Sequence, residues 1–285
     1  MPFEPITWKL RSRSLTTADH TLVMGILNVT PDSFSDGGRW TDTGAAINRG
    51  RELAAAGADV VDVGGESTRP GAEPVDTAEE LARVVPVVGA LAAEGVVVSI
   101  DTSKPSVAGA AIDAGAEIVN DVTGLSDPVM IETCGRTGVG VVIMHMLGDP
   151  RTMQSDPTYE DVVADVARFL RHRTEEAVAA GIDASRIVVD PGIGFGKTIQ
   201  HNLALLDGIE RLSGGRPVLI GASRKAFLGS ILERAGRSTS TEDRDHATGA
   251  TTALAIEKGA AIVRVHDVAA AVAVGRTADA IVRVR

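Results

Sequence analysis

Eight short runs rich in Val, Ile and Leu alternate along the chain with longer, Ala-rich stretches of helical periodicity. The runs cover residues 21–29, 59–65, 96–101, 117–123, 140–146, 186–192, 217–223 and 261–268. Nearly continuous apolar strands are typical of parallel sheets that are covered on both faces, and eight strand–helix units is the number that closes an α/β barrel. We therefore predict an α/β fold, a single (βα)8 TIM barrel.

The joints between helix and strand repeat, as Gly57-Ala58, Gly115-Ala116 and Gly259-Ala260. Glycine at this place suits the left-handed conformation that ends many helices. A doubly wound open sheet is the alternative fold. No G-x-G-x-x-G follows the first run, so the dinucleotide-binding form of that alternative lacks its main support.

The chain has 285 residues, and an α/β barrel commonly uses about 250 residues as one domain, so we expect a single domain over residues 1–285. Residues 1–20 lie outside the repeat and are predicted to form an N-terminal extension, as a hairpin. Residues 236–249 are strongly polar, and we expect a mobile connection there between the seventh run and its helix.

Composition excludes several classes of partner. Lys and Arg number 28 against 38 Asp and Glu, which gives a net charge of −10, and aromatic residues make up 3%. Few rings and excess negative charge disfavour nucleic acid and anionic membranes. The single cysteine, Cys134, allows no intrachain disulfide, and no stretch is long and apolar enough to span a bilayer. We expect a cytoplasmic protein.

Polar side chains end every one of the eight runs, at the edge where α/β barrels place their active sites. They are Asn28, Glu66 to Arg69, Asp101, Asn120, Asp121, His145, Asp190, Ser223 to Lys225, Arg264 and His266. Each has a structural alternative: Asp101 and Asp190 can cap helices, and His145 can be a packed pocket wall. A purely structural barrel needs no such ring, so we predict a functional site.

Arg264 and His266 are two apart on one strand, which places both side chains on one face about 7 Å apart. They can grip one anion, and the last strands of such barrels often hold phosphate, so a phosphate or diphosphate is predicted. The alternative is that Arg264 pairs with Asp190 or another interior carboxylate. Asp101, Asn120 and Asp190 suit the donor-rich edge of an amidine-like heterocycle.

Other chemistries fit less well. Paired carboxylates would suit a glycosidase, but the chain has few aromatic residues to stack on sugar. Lys225 would suit a Schiff-base aldolase, but it lies beyond the strand end, where we do not expect desolvation to lower its pKa. Residues 190–197 are Gly-rich without the P-loop spacing, and Gly192 and Gly194 are predicted to let the backbone approach a flat ligand.

The chain resembles the bacterial dihydropteroate synthases in eight segments, one per strand and in the order of that family. These segments are MGILNVTPDSFSDGG, GGESTRPGA, SIDTSKP, IVNDVTG, VIMHM, DPGIGFGKT, LIGASRKAFLG and IVRVHDV. The resemblance implies the Mg²⁺-dependent condensation of 6-hydroxymethyl-7,8-dihydropterin diphosphate with p-aminobenzoate in folate biosynthesis. It also implies a TIM barrel and a homodimer.

The same resemblance implies a role for each matching residue. Asn28, Arg264 and His266 would bind the diphosphate, with Asn28 as the Mg²⁺ ligand and with Arg264 and His266 neutralising the leaving group. The pterin-binding residues would be Asp101, Asn120, Met144, Asp190 and Lys225. The p-aminobenzoate side would consist of Phe34, Thr68, Arg69, Pro70, Phe195 and Ser223. The residues expected to act in catalysis are Asp101, Asp190, Lys225, Arg264 and His266.

The implied reaction is a dissociative, SN1-like substitution, because the pterin can delocalise the cation and the aryl amine is a neutral nucleophile. Loops 29–40 and 65–73 are expected to complete the p-aminobenzoate pocket only after pterin diphosphate has bound. Two alternatives stay open. One is a pterin-binding barrel without synthase activity, as an inactive or methyltransferase-like relative, and the other is an aldolase or isomerase barrel for a sugar phosphate.

Overall fold

The computed structural model describes residues 5–30, 39–67, 73–148 and 152–284, and it confirms the predicted barrel. The strands, in chain order, are β1 (Thr7–Lys9), β2 (Ser14–Thr16), β3 (Leu22–Asn28), β4 (Val60–Gly64), β5 (Val98–Asp101), β6 (Ile118–Asp121), β7 (Gly140–Met144), β8 (Ile187–Asp190), β9 (Leu219–Ile220) and β10 (Ile262–Val265). Strands β3 to β10 pair in parallel in the order β8-β7-β6-β5-β4-β3-β10-β9. A parallel bridge between Val189 and Val218 joins the two ends, so the sheet closes.

Helices cover the outside of the barrel. They are α1 (Arg39–Ala55), α2 (Thr77–Ala93), α3 (Pro105–Ala114), α4 (Pro128–Thr137), α5 (Val162–Ala179), α6 (Ile199–Asp207), α7 (Ile209–Leu212), α8 (Ala226–Arg234), α9 (Thr241–Glu257) and α10 (Val268–Val282). The three predicted joint glycines, Gly57, Gly115 and Gly259, have φ of 101°, 118° and 93°. These values lie in the left-handed region that glycine adopts without a Cβ clash, which explains why the helices end there.

The polar segment after β9 differs from the prediction. The predicted connection over residues 236–249 is wrong beyond Ser240, because α9 begins at Thr241. Two helices, α8 and α9, follow β9. The Ser240 hydroxyl caps α9 by accepting a hydrogen bond from the Asp243 N–H. Glu242 and Asp243 lie in the first turn, where negative charge is favourable. The polar composition therefore marks a helix start and its exposed face.

The N-terminal extension forms the predicted hairpin, with β1 and β2 antiparallel. Trp8 is 1% exposed, and its Nε1 donates to the Arg186 carbonyl at 2.8 Å. Trp8 and Leu10 pack into a cluster with side chains from the starts of the barrel strands, among them Met24, Ile118 and Ile262. The hairpin thus closes the amino-terminal end of the barrel.

Strand periodicity decides which side chains point into the barrel. The cluster under the hairpin contains Val60, Ile118, Val142, Val188, Leu219 and Ile262. Side chains two apart on a strand share a face, so later members of the same series also point inward. They include Asp62, Asn120, Met144, Asp190 and Arg264. The alternate positions, such as Val63, Val119 and Val189, pack in the large core between sheet and helices.

No helix in the described parts of the chain combines the length and the apolar character that crossing a membrane requires.

Candidate active site

The carboxyl end of the barrel gathers most of the residues predicted to form a site. Strand ends supply Asn28, Asp101, Asn120, Met144, Asp190 and Arg264, and the segments just after the strands supply Phe195, Ser223, Lys225 and His266. Four predicted residues of the p-aminobenzoate side, Phe34, Thr68, Arg69 and Pro70, lie outside the described residues, as do most of loops 29–40 and 65–73. Their roles stay predictions.

Arg264 is held between two carboxylates. Its Nε donates to Asp62 Oδ2 at 2.6 Å, and its Nη2 donates to Asp101 Oδ2 at 2.6 Å. Burial acts to lower the pKa of Arg264, but the two carboxylates more than offset this and raise it. Pairing with an interior carboxylate, the alternative we considered for Arg264, is therefore present, although the partners are Asp62 and Asp101 rather than Asp190.

Asp101 titrates near neutral pH. Burial raises its pKa to about 7; the Arg264 guanidinium opposes this shift, and Asp62 adds to it. The hydrogen bond of Asp101 is to Arg264 and not to the start of a helix, so it differs from the helix cap that was the structural alternative for Asp101. A carboxylate with this pKa changes charge easily when a ligand or a proton arrives.

Asp62 is a site residue that the sequence analysis missed. Its side chain is 0% exposed, and its Oδ2 accepts a hydrogen bond from Asn120 Nδ2 at 3.0 Å as well as the bond from Arg264. The signal was present in the sequence, because a carboxylate in the middle of an apolar run seldom stays buried without a charged partner. Asp62 lies inside its run rather than at the end, where the other polar site residues are found.

Asp190 has both a structural and a pocket-facing part. Its Oδ1 accepts a hydrogen bond from the Gly192 N–H at 2.7 Å, which fixes the turn after β8. The side chain is 5% exposed, and burial raises its pKa while the bond to Gly192 opposes the shift. Lys225 and Arg264 lie close enough to favour its charged form. Asp190 thus stabilises a local turn rather than capping a helix, which was its structural alternative. Its other carboxylate oxygen, Oδ2, is left to face the pocket.

Lys225 departs from the prediction. It lies at the position before α8, and its Nζ stands 3.9 Å from the centre of the Phe195 ring. Burial and, to a smaller extent, the nearby Arg264 guanidinium together lower its pKa to about 8. The expectation that Lys225 escapes desolvation is therefore wrong, because the loop that carries Phe195 covers it. Lys225 and Phe195 form one wall of the pocket.

His266 is neutral at physiological pH. Burial lowers its pKa to about 4, and Arg224 and Arg264 act in the same direction. Its Nδ1 lies 2.9 Å from Ser223 Oγ, which also accepts a hydrogen bond from the His266 backbone N–H. The expectation that His266 contributes positive charge is corrected, since in this structure the ring can only donate or accept a hydrogen bond. Ser223 is its partner.

A strained residue separates Ser223 from Lys225. Arg224 has φ of 58°, in the left-handed region that side chains other than glycine rarely adopt. Its Nε and Nη2 donate to the two carboxylate oxygens of Asp245 on α9, at 2.7 Å each. Its backbone N–H donates to Thr248 Oγ1 at 3.1 Å. Helix α9 thus holds the backbone that carries both pocket residues.

The glycines of segment 190–197 serve the protein itself. A Cβ on Gly192 would lie 1.9 Å from the His145 carbonyl oxygen, and one on Gly194 would lie 3.0 Å from the Lys225 side chain. We predicted close approach to a flat ligand at these positions; what approaches is the neighbouring backbone and Lys225. His145 is packed, as expected, but it faces Phe169 on α5 and Lys197 rather than the barrel interior.

Asn28 is the one predicted metal ligand, and its surroundings can be compared with what Mg²⁺ requires. The described residues contain no group of three or more His, Cys, Asp or Glu side chains arranged as a metal site. Asn28 ends β3 half-buried, and no hydrogen bond of its side chain occupies the amide oxygen within the described ranges. Mg²⁺ commonly takes one or two protein oxygens and completes its shell with phosphates and water. The amide oxygen of Asn28 therefore fits the role of a single protein ligand to Mg²⁺.

Buried acceptors, a desolvated lysine and a paired arginine at the carboxyl end of a closed parallel barrel are typical of an enzyme active site. The sequence profile of the pterin-binding enzymes matches residues 24–266. Dihydropteroate synthase of Mycobacterium leprae is 50% identical over 255 residues, which cover 88% of this chain and 89% of the relative.

Solved structures agree with this match. The Xanthomonas albilineans dihydropteroate synthase with 4-aminobenzoic acid has a TM-score of 0.89 and 45% identity, covering 98% of each chain. The Burkholderia cenocepacia dihydropteroate synthase complexed with 7,8-dihydropteroate has a TM-score of 0.87 and 43% identity, covering 99% of this chain and 98% of that one. The chain belongs to the dihydropteroate synthase family, as its sequence motifs predicted.

Proposed function

We propose that this protein condenses 6-hydroxymethyl-7,8-dihydropterin diphosphate with p-aminobenzoate to give 7,8-dihydropteroate and diphosphate. The observation that carries the proposal is the set of inward-facing groups at one end of the barrel, where Asp101, Asn120 and Asp190 stand beside Lys225 and Arg264. Dihydropteroate synthases similar to this chain over nearly its whole length bind 4-aminobenzoic acid and 7,8-dihydropteroate. Both ligands are expected here.

The pocket separates acceptors from donors in a way that suits a pterin. The free oxygen of Asp190 would accept from the N–H groups of the amidine-like edge, and Asn120 would complete that edge. The ammonium of Lys225 would donate to the pterin carbonyl, and Met144 and Phe195, both nearly buried, would pack on the ring. Charge-assisted bonds in a buried pocket supply affinity and orientation together.

The reaction breaks the C–O bond between the pterin methylene and the diphosphate, and the electron pair leaves with the diphosphate oxygen. The methylene cation is delocalised into the pterin, and the carboxylates of Asp101 and Asp190 would stabilise it. The p-aminobenzoate nitrogen then donates its lone pair to the methylene carbon and loses a proton to solvent. We propose this dissociative, SN1-like course because a neutral aryl amine needs positioning more than a strong base.

Arg264 and His266 would contact the diphosphate oxygens, Arg264 through the nitrogen hydrogens that its carboxylate partners leave free. Asn28 would hold Mg²⁺, which supplies positive charge to the departing diphosphate. The positive charge of Arg264 is already balanced by the carboxylates of Asp62 and Asp101, so little of it is left to neutralise diphosphate. This balance supports a requirement for the metal ion. Phe34, Thr68, Arg69 and Pro70 would join Ser223 and Phe195 on the p-aminobenzoate side.

Release of diphosphate and formation of dihydropteroate test the proposal. Purified protein mixed with both substrates and Mg²⁺ should give dihydropteroate by mass spectrometry, and chelation of Mg²⁺ should stop the reaction. Folded protein that binds a pterin fragment but forms no product would instead be a pterin-binding barrel without synthase activity. Protein that binds a sugar phosphate and no pterin would contradict the whole assignment.

We further propose a homodimer in the cytoplasm. Two large apolar side chains, Ile231 on α8 and Leu254 on α9, are 37% and 60% exposed on helices that pack against each other. Burying them against a second copy would remove apolar surface from water. The single cysteine, Cys134, is free, and a chain without an intrachain disulfide fits a reducing compartment. Sedimentation of the wild type as a dimer and of Leu254→Glu as a monomer would support this, and a monomeric wild type would contradict it.

A further inference from the structure

Asp62 lies beneath the pocket and contacts both of its functional ends. Its Oδ2 accepts from Arg264 Nε at 2.6 Å, on the side proposed for diphosphate. The same oxygen accepts from Asn120 Nδ2 at 3.0 Å, on the side proposed for the pterin. One fully buried carboxylate oxygen therefore fixes two side chains that approach from β6 and β10, on either side of β4.

The charges around Arg264 do not add up to a cationic site. One guanidinium faces the carboxylates of Asp62 and Asp101, so the three groups together carry a charge of −1 when both acids are ionised. Asp190 and Lys225 also act on this cluster, and their charges cancel. A multiply charged diphosphate thus meets a cluster of roughly zero or negative charge, not a free arginine.

We propose that Asp62 is a positioning residue that orients Arg264 and Asn120 and offsets the charge of Arg264, so that diphosphate is bound weakly enough to be released. This inference rests on the proposed function, in which diphosphate is the leaving group and a product. An enzyme gains little from an interaction that holds its product as firmly as its transition state. Compensation by a buried carboxylate keeps the directional hydrogen bonds of Arg264 while limiting its attraction for the anion.

The second oxygen of Asp62 makes a clean substitution possible. Oδ1 is buried and has no hydrogen-bond partner among the described residues; the same holds for Oγ of Ser99, its paired neighbour on β5. In Asp62→Asn the amide oxygen can take the place of Oδ2 and accept both hydrogen bonds, while the amide nitrogen takes the place of Oδ1. The variant removes the charge and preserves the geometry.

Asp121 provides the matched control. It is also 0% exposed, and it lies next to Asn120 at the end of β6. Its Oδ1 accepts from Thr123, and its Oδ2 has no partner within the described ranges. Its side chain occupies the alternate position on the strand, which faces the helices. Asp121→Asn therefore removes a buried carboxylate of the same kind that makes no bond to Arg264; its remaining effect on the pocket is a minor one, through the charge of Asp101.

Calorimetric titration with inorganic diphosphate and Mg²⁺ tests the inference. Removing a unit charge that is bonded to the arginine proposed to contact the anion should tighten diphosphate binding by about tenfold or more in Asp62→Asn, even at the screening typical of protein sites. Asp121→Asn should bind diphosphate as the wild type does. In turnover, Asp62→Asn should show a lower kcat and stronger inhibition by added diphosphate.

Unchanged or weaker diphosphate binding by folded Asp62→Asn would overturn the inference, because a merely structural carboxylate would weaken binding when lost. If Asp62→Asn does not fold, Asp62→Ser leaves room for a water that can accept hydrogen bonds from Arg264 and Asn120 in place of the carboxylate, and it should also tighten diphosphate binding; weaker binding there would contradict the charge offset. The binding arm needs no turnover. A wild type that makes no dihydropteroate would refute the proposed function, whereas a productive wild type with unaltered diphosphate binding in both Asp62 variants would refute only this inference.

Discussion

Replacing Asp190 by Asn should separate pterin recognition from folding, because the two carboxylate oxygens do different work. Oδ1 accepts from the Gly192 N–H at 2.7 Å and holds the turn after β8. An asparagine amide oxygen can keep that bond, while its NH₂ group replaces the oxygen left for the ligand. An acceptor that faces the N–H edge of the pterin becomes a donor.

The magnitude follows from burial. Asp190 is 5% exposed, so solvent screens a charge-assisted pair there very little. A hydrogen bond to a charged group contributes about 1.5–3 kcal/mol, and facing two donors toward each other adds a penalty, so pterin affinity should fall by a factor of about 100 or more. The melting temperature should change little. Asp190→Ala, by contrast, loses the turn as well and should lower stability by about 1 kcal/mol.

The assay is calorimetric titration of each variant with a hydroxymethylpterin fragment, with thermal unfolding as the control. Equal pterin affinity in wild type and Asp190→Asn would refute the reasoning and leave Asp190 as a structural turn residue. A large loss of stability in Asp190→Asn would show that the remaining oxygen also supports the fold.

Three further outcomes are expected. Pterin affinity should be highest between about pH 7 and pH 8. At lower pH, Asp101 (pKa about 7) becomes protonated and neutral, and at higher pH, Lys225 (pKa about 8) loses its positive charge. A pterin affinity that calorimetry finds constant from acid to alkaline pH would contradict this expectation. Asp245→Asn should weaken pterin binding about fivefold, because Arg224 loses its ion pair and holds the neighbouring pocket residues less firmly. Asp243→Asn, at the exposed start of the same helix, should leave pterin binding unchanged. Equal effects of the two variants in the same titration would show a general loss of helix stability. Trp8→Ala should lower the free energy of unfolding, measured in denaturant, by about 3–5 kcal/mol, because the Trp8 side chain is buried. A loss below about 1 kcal/mol would mean that the hairpin does not close the barrel.

The sequence alone determined the barrel and the ring of polar residues at its mouth. Both depend on local rules: apolar runs form buried strands, glycine ends helices, and residues two apart share a face. Arg264 and His266 were placed on one face in this way. The start of α9 was missed because Ser240, Glu242 and Asp243 suit a helix cap as well as a loop.

Only the tertiary structure decided which charges meet. Arg264 pairs with Asp62, which is 202 positions away in the chain and becomes a neighbour only when β10 and β4 both pair with β3. The neutral state of His266 and the low pKa of Lys225 depend equally on what covers them. Coulomb energies and desolvation depend on distances through space and on local dielectric, and neither is written in the spacing of residues along the chain.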